Sequence, residues 1–193
     1  MTESAPRLPS AGRLFLAVDP PAPAVSDLDR ALQPLRPAPG APRWTPTSRW
    51  HLTLAFLDEV PAPLLTPLRA AVAPAVARTP PMSLQLAGGG RFGSRRRPTV
   101  CWVGLGGDVP ELTALAGRLA AAARAVGLRV EDRPFRAHLT VGRWRPGQPA
   151  DGDLPDRLAG YRGPVWPVRE VVLWRSHLGS EPRYERTAAW PVG

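Results

Sequence analysis

Two kinds of hydrophobic pattern divide the chain into helices and strands. Apolar residues at helical spacing predict helices over 24–35, 63–77 and 110–126, with a short helix within 153–161. Runs of apolar and β-branched residues predict strands over 13–19, 51–57, 82–87, 99–105, 138–143, 168–178 and 184–192. Helices between strands, with several strands near the ends, favour an α+β fold. We expect one domain covering 1–193.

Two stretches rich in Pro and Gly are expected to be loops. The first covers 37–46, and the second opens at Gly88-Gly89-Gly90 and ends at Arg97. The second loop is predicted to be flexible and basic, since four arginines lie between positions 91 and 97. A basic run is usually a solvated turn, and it is also suited to contact the phosphates of an RNA backbone.

One tetrapeptide occurs twice. His51-Leu52-Thr53-Leu54 returns as His138-Leu139-Thr140-Val141, and these copies hold two of the three histidines in the chain. Side chains alternate between the faces of a strand, so His and Thr share one face while the apolar residues enter a core. A predicted strand and helix precede each copy. The sequence therefore predicts two related halves that meet at a pseudo-two-fold cleft.

This pairing is suited to acid–base chemistry at a phosphate. Imidazole can give or take a proton near neutral pH, so His51 and His138 could supply one acid and one base. The hydroxyls of Thr53 and Thr140 can donate hydrogen bonds to the non-bridging phosphate oxygens. As alternatives, both threonines are also ordinary strand residues, and a lone histidine beside apolar residues is usually structural.

Phe56 and Arg143 each stand five residues after a motif histidine. An odd spacing in an ideal strand directs a side chain to the opposite face, so Arg143 reaches the phosphate only if its strand ends or bulges first. Phe56 is interpreted either as a platform that stacks a terminal base or as a core aromatic.

The composition excludes several mechanisms and compartments. The net charge is +9 and the chain contains no lysine, so it has the charge of a polyanion-binding protein but cannot form a lysine–nucleotide intermediate or a Schiff base. A single cysteine, Cys101, permits no internal disulfide and is interpreted as a core residue. No apolar run approaches a membrane helix and no signal peptide is recognised, so we expect a cytoplasmic protein without a membrane partner.

The sequence segments around the two motifs resemble those of the two-histidine phosphoesterases. Within that group they resemble the RNA 2′,3′-cyclic phosphodiesterase branch, historically called 2′-5′ RNA ligases. The resembling segments are RLFLAVD at 13–19, WHLTLAFL at 50–57, RPFRAHLTVGR at 133–143 and LWRSHL at 173–178 followed by Tyr184. The resemblance spans nearly the whole chain. Phe56 and Arg143 also match the family pattern.

The resemblance implies a bilobal α+β fold, with antiparallel or mixed sheets lining a central cleft and helices outside. It implies hydrolysis of an RNA 2′,3′-cyclic phosphate end to a 2′-phosphate, with no metal or other cofactor and no obligate protein partner. The partners are then RNA ends or small cyclic nucleotides. In that family His51 would be the proton donor and His138 the proton acceptor, while Thr53, Thr140, Arg143 and Phe56 would bind substrate.

Three alternatives stay open. The first is 2′-5′ RNA ligation without ATP, in which a 5′-hydroxyl replaces water. The second is an RNA-binding module without catalysis. The third is a zinc site at the histidines, for which Asp58 and Glu59 are the nearest additional ligands, although no metal-ligand spacing supports it.

Overall fold

The computed structural model describes residues 9–177 and 183–193, and within them nine strands and three α-helices. The helices are α1 Ala22–Leu32, α2 Leu65–Ala77 and α3 Val109–Ala125. The strands are β1 Ser10–Val18, β2 Arg43–Trp44, β3 Leu52–Pro61, β4 Ser83–Ser94, β5 Arg97–Gly107, β6 Leu139–Arg143, β7 Arg162–Pro167, β8 Glu170–His177 and β9 Arg183–Pro191.

The strands form two sheets whose neighbouring strands are all antiparallel. The first sheet has the order β3-β1-β8-β9, and the second has the order β2-β6-β5-β4-β7. The motif strands β3 and β6 pair with β1 and β5, and the units β1-α1-β3 and β5-α3-β6 correspond. The predicted α+β class and the two related halves are confirmed.

The helices cross between the halves. Helix α1 follows β1 of the first sheet but packs against β7 and β4 of the second, whereas α3 follows β5 of the second sheet and packs against α2 and β3. Each helix buries an apolar stripe at i, i+3 or i+4 spacing, such as Ala24, Leu28 and Leu32 of α1. Residues of both sheets therefore share one continuous hydrophobic core.

The predicted flexible loop from Gly88 to Arg97 is wrong. These residues belong to a β-hairpin in which β4 and β5 pair up to Ser94 and Arg97, with the turn at Arg95 and Arg96. The glycines serve close packing, because a Cβ at Gly90 would lie 2.2 Å from the Trp102 ring. The glycine-rich composition predicted a flexible loop, but Gly90 is a glycine because the Trp102 ring leaves no room for a side chain there.

The element boundaries differ from the predictions at several other places. The short strands β2 and β7 were not predicted, and β2 lies within the expected 37–46 loop. The helix expected within 153–161 is a 3-10 helical turn at Leu154–Leu158. Leu178, the predicted end of the strand now seen as β8, lies outside the described residues. Among the described residues, no helix is long and apolar enough to cross a membrane.

Candidate active site

The two motif histidines occupy equivalent positions directly before β3 and β6. The Nδ1–H of His51 donates to the carbonyl oxygen of Arg49 over 2.8 Å, and that of His138 donates to the carbonyl oxygen of Arg136 over 2.7 Å. A carbonyl can only accept, so each bond assigns the proton to Nδ1 and leaves Nε2 available. Both imidazoles are held by the backbone two residues upstream.

The first motif strand carries a β-bulge just after its threonine. Leu54 is left between the cross-strand pairs Ala17–Thr53 and Leu16–Ala55. The extra residue shifts the alternation of faces by one, so Phe56 and Thr53 both line the same cleft. Phe56 is 57% exposed, and its interpretation as a core aromatic is therefore wrong.

The second motif strand has a bulge at the equivalent place. Val141 is left between the pairs Trp102–Thr140 and Cys101–Gly142. Arg143 is exposed and lines the cleft together with Thr140. It stands five residues after His138, so it can share the face of Thr140 only because the bulge shifts the alternation of side chains by one residue. The spacing of five residues thus has the same structural basis in both halves.

The cleft between the sheets has a volume of about 860 Å³ and brings together all six predicted site residues. Strands and connecting segments form its wall, and among the described residues none of α1, α2 or α3 contributes to it. The predicted residues in the wall are His51, Thr53, Phe56, His138, Thr140 and Arg143. The apolar partners of the motifs, including Leu52 and Leu139, are buried as expected.

Aromatic rings from other strands pack against each histidine. The rings of Phe15 and Tyr184 lie 4.7 and 5.3 Å from the His51 ring, between centroids. At His138 the corresponding neighbours are Phe92, at 4.9 Å, and Trp102, at 6.3 Å. The rings limit the rotation of both imidazoles and remove water from around them. None of these aromatics could be assigned to the site from sequence, because they come from β1, β9, β4 and β5.

Trp102 reaches His138 because its cross-strand neighbour Gly90 has no side chain. The two residues pair directly in β4 and β5, and the indole occupies the space that a Cβ of Gly90 would fill. An aromatic ring over a cross-strand glycine is a recurrent way to pack such a gap. The guanidinium of Arg136 stacks at 6.0 Å from the centroid of the Trp102 ring.

The surroundings favour the neutral form of both histidines in the open cleft. Burial lowers the pKa of His51 to about 4, opposed by its hydrogen bond to Arg49 and assisted by the charge of His138. Burial also lowers the pKa of His138, and the positive charges of Arg143 and Arg136 act in the same direction. An anion placed between the rings would favour protonation of either imidazole.

Asp58 occupies a strained position at the mouth of the cleft. Its φ of 51° is in the left-handed region, and Leu57 is left between the pairs Leu14–Asp58 and Phe15–Phe56. Its carboxylate forms a 2.9 Å ion pair with the Nε of Arg13. In the zinc alternative, Asp58 would be a metal ligand. Among residues 9–177 and 183–193, no cluster of three or more His, Cys, Asp or Glu is arranged to hold a metal ion.

Two of the four arginines in the basic cluster of the β4–β5 hairpin are bound to other parts of the protein. Arg91 donates to the carbonyl oxygen of Gly152 and pairs with Asp156 at 3.0 Å. Arg95 pairs with the same Asp156 at 3.0 Å. The cluster contributes no residue to the wall of the cleft. These ion pairs anchor the hairpin that carries Phe92.

Comparisons with known proteins agree with this geometry. An RNA 2′,3′-cyclic phosphodiesterase of Geobacillus stearothermophilus is 35% identical over 150 residues, which cover 77% of this chain and 47% of that protein. The chain thus spans about half the length of this relative. An RNA 2′,3′-cyclic phosphodiesterase of Archaeoglobus fulgidus is 31% identical over 86% of this chain and 92% of its own length.

The fold is also found among solved structures. The crystal structure of LigT from E. coli in complex with 3′-AMP matches with a TM-score of 0.75 and 26% identity, covering 94% of this chain and 98% of that one. A family model described as the 2′-5′ RNA ligase superfamily matches residues 14–180. The chain belongs to the 2′-5′ RNA ligase superfamily.

Proposed function

We propose that this protein hydrolyses RNA 2′,3′-cyclic phosphate ends to 2′-phosphates, using two histidines. The observation that carries the proposal is the pair of imidazoles in one cleft, each with its Nδ1–H bonded to a backbone carbonyl and a threonine two residues later. Relatives named RNA 2′,3′-cyclic phosphodiesterase support the same substrate class. In this proposal the protein acts in the cytoplasm, where single RNA ends are its partners.

The reaction is an in-line displacement at phosphorus. The Nε2 of His138 takes a proton from water while the water oxygen forms a bond to phosphorus. The bond from phosphorus to the 3′-oxygen breaks, and the Nε2 of His51 gives its proton to that oxygen. The products are a 3′-hydroxyl and a 2′-phosphate, and each proton transfer typically contributes about 10²–10⁴-fold in rate.

Burial lowers the pKa of both imidazoles, that of His51 to about 4, so the proposed proton donor has to gain its proton as the substrate binds. Burial, with the charges of Arg143 and Arg136 acting in the same direction, lowers the pKa of His138, which keeps the proposed base neutral. No arginine is among the causes that shift the pKa of His51. The substrate phosphate brings a negative charge to the cleft, and this charge would raise the pKa of His51 toward the value that a proton donor needs.

The remaining cleft residues bind the substrate in this proposal. Thr53 and Thr140 donate hydrogen bonds to the non-bridging oxygens, where negative charge accumulates in the transition state. Arg143 contacts RNA phosphate through its guanidinium. The exposed ring of Phe56 stacks the terminal base. No step requires a metal, because the two imidazoles perform both proton transfers.

The superfamily description also names ligation, which supports a second candidate activity. In it the 5′-hydroxyl of another RNA replaces water, so the same displacement forms a 2′-5′ linkage without ATP. The absence of lysine excludes a lysine-adenylate route. Water competes with the acceptor at the same position, so hydrolysis and ligation share one pair of histidines.

A product assay tests the proposal. The purified protein is incubated with a short RNA that ends in a 2′,3′-cyclic phosphate, in excess chelator, with and without a 5′-hydroxyl RNA. Conversion to the 2′-phosphate supports hydrolysis, and a 2′-5′-joined product supports ligation. A 3′-phosphate product, or activity that requires an added divalent ion, would contradict the mechanism. Tight binding without turnover would favour the non-catalytic RNA-binding alternative.

A further inference from the structure

Two arginines face each other across neighbouring strands at one wall of the cleft. Arg43 of β2 pairs directly with Arg143 of β6 in the antiparallel register, and both residues line the cleft. Both side chains are exposed. Like charges directly opposite each other destabilise a sheet. Since β2 has only two residues, few other pairs offset this repulsion.

The cleft holds more positive charge than the reacting phosphate can neutralise. Its two acidic residues already have partners, since Asp58 pairs with Arg13 at 2.9 Å and Glu131 pairs with Arg133 at 2.9 Å. Four lining arginines form no ion pair with the part of the chain that the structure describes, namely Arg43, Arg49, Arg129 and Arg143. A cyclic phosphodiester brings a single negative charge, so a substrate with only that group leaves the arginines unbalanced.

The neighbour of Arg43 adds an aromatic surface to this wall. Trp44 lines the cleft and is half-buried, and the guanidinium of Arg36 lies 5.9 Å from the centroid of its ring. The indole Nε1 is buried and has no hydrogen-bond partner within residues 9–177 and 183–193. A charge and an aromatic ring side by side are the elements that bind single-stranded nucleic acid.

We propose that Arg43 and Arg143 together bind a second phosphate, the diester that joins the terminal nucleotide to the rest of the strand. This inference rests on the proposed function. An anion between the two guanidiniums removes their repulsion and accepts charge-assisted hydrogen bonds from both. The protein then selects polynucleotide ends over nucleoside 2′,3′-cyclic phosphates, because only a polynucleotide has this second phosphate.

The test compares a nucleoside 2′,3′-cyclic phosphate with the dinucleotide that ends in the same nucleoside and the same cyclic phosphate. For the wild type we expect kcat/KM to be about 10-fold or more higher for the dinucleotide. The dinucleotide should also show a salt dependence steeper by roughly 0.7 in log–log slope. In Arg43→Met the preference should fall to about a third or less, while Arg43→Lys, which keeps the charge but not the planar fork, should retain part of it.

Arg78→Met is the matched control, since it removes one exposed positive charge at the end of α2, away from the cleft. It should leave the preference unchanged. Equal kcat/KM for the two substrates in the wild type, or an undiminished preference in Arg43→Met, would overturn the inference while leaving the proposed function intact. If neither substrate is hydrolysed, the proposed function is wrong. The subsite is then judged by binding of the matching 2′-phosphates, for which equal dissociation constants would overturn it.

Discussion

The β3 side and the β6 side of the cleft have the same arrangement from the histidine to the bulge, and they differ in the residues that follow the bulge. Each has a histidine bonded to the carbonyl two residues upstream, a threonine on the same face and a bulge that turns the fifth residue into the cleft. That fifth residue is Phe56 on one side and Arg143 on the other. The repeated backbone places equivalent groups on both sides of the cleft, and the two sides differ in the residue that follows the bulge.

The electrostatic surroundings follow the same division. The rings of Phe15 and Tyr184 surround His51, and burial is the main cause of its lowered pKa. At His138 the charges of Arg143 and Arg136 add to burial. Both imidazoles are therefore neutral in the open cleft, and in the proposed mechanism His51 gains its proton when the phosphate of the substrate arrives. Substitutions on the two sides test what each contributes.

Removal of either motif histidine should have the largest effect. His51→Ala and His138→Ala should each fold but lose about 10²–10⁴-fold in kcat, since each removes one proton transfer. Steady-state kinetics on a cyclic-phosphate RNA, with circular dichroism for folding, checks this. His177→Ala is the matched control, because His177 pairs with Glu185 and does not line the cleft. Near-wild-type turnover by either motif variant would refute the acid–base pair.

Substitution of the fifth residues should separate the two sides. Arg143→Met should lower kcat/KM by about 10–100-fold and flatten its salt dependence, because a phosphate contact is lost. Phe56→Leu should lower kcat/KM by about 10-fold, mainly for purine ends, and leave the salt dependence unchanged. Kinetics over a range of salt concentrations and terminal bases measures both. The same salt response in the two variants would mean that the sides do not differ in this way.

Filling the space beneath Trp102 should affect only the β6 side. In Gly90→Ala the new Cβ meets the indole, so the ring must move away from its position against His138, and kcat should fall about 10-fold. In the double variant with Trp102→Phe, the smaller ring avoids this contact, and the loss should be less than the sum of the single losses. Strictly additive losses would show that the glycine does not act through the indole.

The free energy of unfolding should fall below neutral pH because His51 is buried in its neutral form. Its pKa is about 4 in the fold against 6.5 ordinarily, so the unfolded chain binds this proton first as the pH falls. Stability is therefore lost between pH 6.5 and about 4, and the loss amounts to roughly 1–2 kcal/mol by pH 5. Denaturant unfolding of wild type and His51→Gln at pH 7 and pH 5 tests this. The variant should lack that loss, and equal pH slopes would contradict it.

The alternation within the motifs could be predicted from sequence, but the bulges could not. Leu52 and Leu139 enter the core as the two-residue period requires. The bulges at Leu54 and Val141 depend on the register with β1 and β5, which is a property of the sheet rather than of the motif. The sequence indicated a bulge only on the β6 side, because Arg143 could reach a phosphate only if its strand ended or bulged first.

The aromatic neighbours of the two histidines could not be predicted from the sequence for a similar reason. Phe15, Phe92, Trp102 and Tyr184 look like ordinary strand aromatics, and tertiary packing alone brings them to the imidazoles. Gly88, Gly89 and Gly90 of β4 were interpreted as part of a flexible loop, because the sequence does not distinguish a glycine required for close packing from a glycine in a loop. The two-residue strand that carries Arg43 is too short for any periodicity.

The stereochemistry at phosphorus tests most directly whether the two imidazoles act on one phosphate from opposite sides. An RNA that ends in a single diastereomer of a 2′,3′-cyclic phosphorothioate is hydrolysed in ¹⁸O-labelled water, and the configuration of the 2′-thiophosphate is determined. One in-line displacement between a base and an acid predicts inversion. Retention would show two successive displacements through a covalent intermediate and would contradict the account.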